Sequence, residues 1–467
     1  MYRASVLGAL PTRATGTSRS LTGAGAERAL AALILASCLV VPLLFTIALQ
    51  DSFVLPKVTA LRIIGVVGLV LLAVRLAAGG IRKVAFLWHL DTAVLAFLLL
   101  SVLAFAFSID RSQSLNGEYL QYQGLTAILL YVGFFYLARA SLGDDRRLTL
   151  LFASIAAGAT VVAGYALIQK AGFDPIWGYT PRGRVFSSIG QPNALAAYLV
   201  LAIPICASLI PKSQPLARGA IALCLALMVT ALALTLSRGG YMGFALAATI
   251  VAVPLIRSLR LSLRSFLYGL VPCLAGVVLV ASVAQPISAT AAQFWDRALS
   301  SGNLADGSVQ GHLDLWSVGA AIALDYPILG AGQETYPELF GRYRDVTLAP
   351  SRARVMSAYR PESPHNVYLA IAAGSGFPAL AAYVAVLVGF FYMVVRAIKA
   401  TRSEWRRMAL VALLAAVAGH AATDMFMTAE VTGSWLFWLL MGAGVGLARA
   451  KPREQAELGS DRAAVGM

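Results

Sequence analysis

Ser-Pro-His-Asn-Val-Tyr-Leu-Ala-Ile, residues 363–371, is where a long polar segment, 285–364, gives way to the apolar run 366–396. Runs of roughly 18 or more apolar residues read as membrane-spanning helices. Outward from this boundary the chain offers about twelve, near 29–50, 58–78, 90–109, 123–142, 148–169, 191–210, 218–236, 239–256, 264–284, 366–396, 408–424 and 432–449. The predicted fold is all-α, a polytopic transmembrane helical bundle with one long structured external loop over 285–364.

Composition agrees. Hydrophobic residues make up 59% and charged residues 13% of the 467 positions, where a soluble domain carries about twice that charge. Mean hydropathy is +0.76. The flanking segments read as a disordered basic cytoplasmic tail over 1–28, with no cleavable signal peptide evident, and a short cytoplasmic tail over 450–467. Cys38, Cys206, Cys224 and Cys273 all fall inside apolar runs without metal-like spacing, so they read as small core residues.

A net charge of +15 raises the question of nucleic acid, but its distribution answers it. With an even number of spans and both ends cytoplasmic, 24 of the 37 basic residues fall on the inner side, although the outer side holds the longest loop. This is the positive-inside bias expected of a membrane protein. No nucleic-acid partner is implied.

The residues able to carry chemistry cluster toward the outer ends of spans. They are Arg182 and Arg184 with Gln191-Pro192-Asn193; Ser237-Arg238-Gly239-Gly240; Arg360 with His365-Asn366; and His420 with Asp424. Arginine suits a diphosphate because its planar fork donates two parallel hydrogen bonds and stays charged. The plain alternative is interfacial snorkelling or a salt bridge to a loop acid. His365 has a proton affinity near neutral pH and sits at the membrane boundary, where a general base could meet a membrane-anchored substrate. It could equally be a helix-start histidine satisfied by headgroups or a carbonyl. Asn193 reads as a cap-like residue. His420 and Asp424 share a helix face, and two such groups make a polar packing pair more readily than a metal site. His312 and His89 receive no role. Neither a Walker-type nor a Rossmann fingerprint appears, and no internal repeat or mid-membrane ionisable series suggests alternating access.

Taken in order, Arg184-Val-Phe-Ser-Ser-Ile-Gly-Gln-Pro-Asn193-Ala-Leu-Ala, Ser237-Arg238-Gly-Gly, Asp325-Tyr-Pro-Ile-Leu-Gly-Ala-Gly332 and His365-Asn366 with Gly374 and Gly376 resemble the O-antigen ligase and O-antigen polymerase-like family of bacterial membrane glycosyltransferases. The resemblance spans roughly 150–445. One departure is Ala379, where the ligase motif carries Gly, Thr or Tyr. The resemblance implies transfer of a glycan from an undecaprenyl diphosphate carrier to an acceptor hydroxyl of a lipid, glycan or protein. It implies an inverting reaction without cofactor or metal, at the outer face of the bacterial inner membrane. It also implies His365 as the catalytic histidine and Arg184 and Arg238 as diphosphate-binding arginines. Arg182, Asn193, Asn366 and Arg360 are further substrate-binding candidates from their places in the clusters above. A polymerase extending lipid-linked glycan is the nearest alternative. A transporter of lipid-linked glycan or a small anion is the alternative from another class.

Overall fold

The computed structural model describes residues 14–78, 87–177, 183–258 and 307–450. Its helices, in chain order, are α1 (Ala14–Val40), α2 (Val54–Ala77), α3 (Trp88–Ala106), the short α4 (Arg111–Asn116), α5 (Leu125–Ser141), α6 (Asp145–Lys170), α7 (Pro192–Ala207), α8 (Pro215–Leu234) and α9 (Arg238–Ser258). After the polar segment come α10 (Gly307–Asp325), α11 (Tyr336–Thr347), α12 (Pro350–Met356), α13 (Val367–Ala400), α14 (Glu404–Thr423) and α15 (Val431–Arg449). No strand occurs among the described residues.

Nine of these helices are long and apolar enough to cross a membrane, and α5 and α7 are apolar but shorter. Together they take up eleven of the expected runs; the twelfth, 264–284, lies outside the described residues. The shorter α7 sits deep in the bundle. Residues 194–207 of α7 are all buried, while only 17% of the span in α2 is. A helix wrapped by others need not match the lipid thickness, whereas α2 presents Ile63, Val66 and Val70 outward, as a lipid-facing helix does.

The first helix corrects one expectation. It begins at Ala14, so half of the segment read as a disordered tail is helical. Glu27 anchors it, pairing with Arg75 at 3.2 Å and with Arg147 at 2.5 Å.

Within the polar segment, the described residues 307–364 form a small core of their own. Leu315, Val318 and Ile322 of α10 pack on Tyr336, Leu339, Phe340 and Tyr343 of α11 and on Ala372 and Ala373 of α13. The Pro/Gly-rich stretch 325–332 docks against α13 through backbone bonds: Ala331 N–H to the Ala373 carbonyl (2.9 Å), Gly332 N–H to the Gly374 carbonyl (3.0 Å) and Phe377 N–H to the Pro327 carbonyl (2.9 Å). Such bonds require α13 to open. It does so at Gly376, whose φ of 83° interrupts the helix and is open mainly to glycine. A side chain there would also strike the Ile328 carbonyl. The segment 307–364 is thereby joined to the apolar helix that begins just after His365.

Candidate active site

One cavity of about 940 Å³ opens at the end of the bundle where α2, α7, α9, α13 and α15 begin. Arg184, Asn193, Arg238, His312, Glu362 and His365 line it, with Asp51 and Glu430 on its walls. Four residues singled out from the sequence therefore meet in one space, although they lie far apart along the chain.

Arg184 is set by the loop before α7. Gln169 of α6 accepts hydrogen bonds from the backbone N–H groups of Phe186 (3.2 Å) and Ser187 (2.7 Å), fixing that loop from below. Arg184 then donates from Nε to the Thr235 carbonyl and from Nη2 to Asn193 Oδ1, each at 2.7 Å. Asn193 thus orients the arginine, while the cap of α7 is Gln191, which accepts from Ala194 N–H at 2.8 Å.

Arg238 opens α9 after a tight turn in which Leu236 adopts a φ of 51°. The glycines that follow serve the neighbouring helix. Gly239 lies against Phe426, and Gly243 against Thr423 and the Gly419 carbonyl of α14. Small residues four apart let the two backbones approach closely, as membrane helix pairs commonly do.

His365 itself is held in a left-handed conformation, φ 51°, rare outside glycine but tolerated by histidine. Its backbone N–H donates to Ser363 Oγ (3.0 Å), and its Nδ1 lies 2.6 Å from Thr428 Oγ1. Ser363 Oγ and Thr428 Oγ1 are 2.7 Å apart. Burial lowers the proton affinity of the imidazole below its ordinary value, and the nearby Glu362 carboxylate partly opposes this. A neutral imidazole in this cavity is a competent proton acceptor.

The remaining candidates fall elsewhere. Asn366 is the N-cap of α13, accepting from Leu369 N–H at 3.0 Å, so it sets the helix start. Arg360 is exposed and not among the described residues that line the cavity; it acts on Glu338. Arg182 lies outside the described residues. His420 and Asp424 are buried, with Nε2 3.5 Å from Oδ1 and the ring against Phe437. They form a packing pair, and no group of metal-binding size occurs among the described residues. His89 is exposed at the start of α3.

His312 was not legible as a site residue. It comes from α10, and its ring centroid lies 5.8 Å from that of His365. Lys57 also escaped notice. It is fully buried in α2 and donates to the Ser188 carbonyl (2.7 Å) and to the Phe53 carbonyl (2.9 Å), with the Asp51 and Glu430 carboxylates nearby. Those two acids cap helices: Asp51 receives Val54 N–H (2.9 Å), and Glu430 receives Thr432 N–H (2.9 Å). Burial raises the proton affinity of Glu430, and Lys57 opposes this. Caps of this kind are readable from Asp or Glu just before an apolar run, but their convergence is not.

No curated protein matches the chain. Residues 223–384 match the family model for O-antigen ligase. The match takes in Arg238, His312, Glu362 and His365, while Arg184, Asn193 and Thr428 lie beyond it. Over residues 223–384 the resemblance read from the sequence is borne out, and that segment of the chain is O-antigen-ligase-like.

Proposed function

We propose that the protein transfers a glycan from an undecaprenyl diphosphate carrier to an acceptor hydroxyl at the outer face of the inner membrane. The observation that carries this reading is the single cavity that joins two arginines to a histidine with lowered proton affinity. Its size suits a sugar diphosphate, and its position at one end of an apolar bundle lets a lipid tail remain in the bilayer. The O-antigen-ligase-like segment indicates a glycosyltransferase-like membrane enzyme.

The chemistry is one displacement. The acceptor oxygen bonds to the anomeric carbon as the bond from that carbon to the phosphate oxygen breaks. His365 takes the acceptor's proton, and undecaprenyl diphosphate leaves with the bonding electrons. The anomeric centre inverts. Arg184 and Arg238 offset the charge that builds on the leaving phosphate, where fixed donors act most strongly. Asn193 holds Arg184 in place for that task.

The test is glycan transfer in liposomes from a purified undecaprenyl-diphosphate donor to a panel of lipid, glycan and protein acceptors, with EDTA present. Transfer should proceed in EDTA, and the productive acceptor separates ligation from polymerisation. His365→Gln should be inactive, since an amide cannot take up a full proton near neutral pH. Robust transfer by that variant would remove the general-base role. A requirement for added divalent metal would refute the metal-free reading.

A further inference from the structure

We propose that Thr428 is a positioning residue for His365: its hydroxyl accepts the Nδ1 hydrogen of the imidazole and leaves Nε2 as the nitrogen that takes a proton from the cavity. Thr428 lies in the turn between α14 and α15, beyond the family-matched segment. Its catalytic readout rests on the proposed transfer reaction; its effect on the imidazole does not.

Three short hydrogen bonds close a ring around the histidine. They run from His365 N–H to Ser363 Oγ (3.0 Å), from Ser363 Oγ to Thr428 Oγ1 (2.7 Å) and from Thr428 Oγ1 to His365 Nδ1 (2.6 Å). The hydroxyl hydrogens can be ordered in two ways. If Ser363 donates to Thr428 and Thr428 donates to Nδ1, the imidazole carries its hydrogen on Nε2 and offers the cavity a donor. If Nδ1–H donates to Thr428 and Thr428 turns its hydrogen to Ser363, Nε2 presents a lone pair. Only the second order survives proton uptake, because imidazolium carries hydrogen on both nitrogens and Thr428 must then accept. The bond to the charged ring is also the stronger one.

The relay therefore favours the state that the histidine reaches once it has deprotonated an acceptor. A hydroxyl does this with no formal charge. A carboxylate in the same place would raise the proton affinity of the ring far more than the hydroxyl does; Thr428 orients the ring and favours its charged form modestly, while burial still holds the affinity below its ordinary value. Other titratable or charged groups facing the ring's cavity are Glu362 beside it, His312 from α10, Arg184, Arg238, Asp51 and Glu430. None of these is altered by a change at Thr428.

The experiment compares the full-length protein with Thr428→Val, which keeps the shape and removes the hydroxyl, and with Thr428→Ser, which restores it. The first readout is the pH dependence of His365 carbethoxylation by diethyl pyrocarbonate, followed by peptide mass spectrometry, which needs no glycan. Thr428→Val should move the midpoint to lower pH by about one unit, the loss of one charge-assisted hydrogen bond. Thr428→Ser should return it. In the transfer assay, Thr428→Val should lower kcat about ten- to a hundredfold with the KM for the lipid donor unchanged, and Thr428→Ser should recover most of it. A midpoint that stays put or rises in Thr428→Val, or a serine variant no better than valine, would overturn the proposal. If wild-type protein transfers nothing, the proposed reaction fails while the midpoint shift still decides the relay. Should the valine variant not fold, nitrogen NMR of the wild-type ring, assigned with His365→Gln, decides: hydrogen on Nδ1 in the neutral form supports the relay, and hydrogen on Nε2 alone refutes it.

Discussion

At the end of the bundle that holds the starts of α6 and α14, arginines meet carboxylates. Arg75 and Arg147 share Glu27, Arg406 lies 2.8 Å from Asp145, and the fully buried Arg139 lies 2.5 Å from Asp91. At the opposite end, Arg184 is gripped by the Thr235 carbonyl and the Asn193 amide oxygen. Both arrangements satisfy the guanidinium geometrically. The first cancels its charge; at these two bonds the second fixes its direction with neutral oxygens. Positive charge at one end fastens helices together. At the other, Arg184 and Arg238 line a cavity.

The sharpest way to break this contrast is at the histidine that the cavity arginines surround. His365→Ala should abolish transfer, a loss of at least the ~10²- to 10⁴-fold that a general base contributes, while lipid-diphosphate binding persists in a flotation assay. Loss of binding along with turnover would mean that the imidazole, not the arginines, holds the donor. Next in size, Arg184→Ala and Arg238→Ala should each lower kcat/KM for the donor by about 10- to 100-fold, as expected for charge-assisted bonds that strengthen in the transition state. Lysine should rescue only in part, because a point charge lacks the planar fork. Full activity in either lysine variant would reduce that residue to a source of general positive potential.

A smaller effect is expected in pH dependence. Since burial lowers the proton affinity of His365, neutral imidazole should persist down to a pH below its ordinary 6.5. Transfer should be flat near neutrality and fall only as pH drops through that lowered value. An acid limb above 6.5 would contradict the assignment. The smallest change is predicted at the other end. Arg75→Ala removes a partly exposed pair, worth about 1 kcal/mol or less, and should leave transfer within about twofold. In the same variants, cysteine placed at Ser357 should label from outside intact cells and cysteine at Arg402 only after permeabilisation. The reverse pattern would invert the orientation and with it the proposed reaction side.

Much of this was legible in the sequence because it depended on local pattern. Apolar runs located eleven helices, and the arginine and histidine motifs located three walls of the cavity. What escaped depended on how distant segments dock. His312 carries no role in the sequence because α10 looks like any helix of a polar segment until its packing against α13 brings it beside His365. Thr428 is a neutral residue in a short turn, and a hydroxyl has no sequence signature apart from its partner. Arg360 differs the other way: it is five residues from His365 along the chain, yet it is exposed and not among the described residues that line the cavity. Asn366 could have been read better, since Asn before Val-Tyr-Leu is a helix-start signal.

The break in α13 at Gly376 has a consequence for how variation in this protein should be interpreted. In a saturation library scored for activity, substitutions at Gly376 and at Gly330, whose added side chain would strike the Gly374 backbone, should vanish as completely as those at His365. Neither glycine is placed to touch a substrate. Their depletion would record joinery, the weld that keeps the 307–364 segment seated on the apolar helix with the histidine at its tip. A map of intolerant positions would therefore draw the active site too large, and only a binding assay alongside it would separate the hinge from the hands.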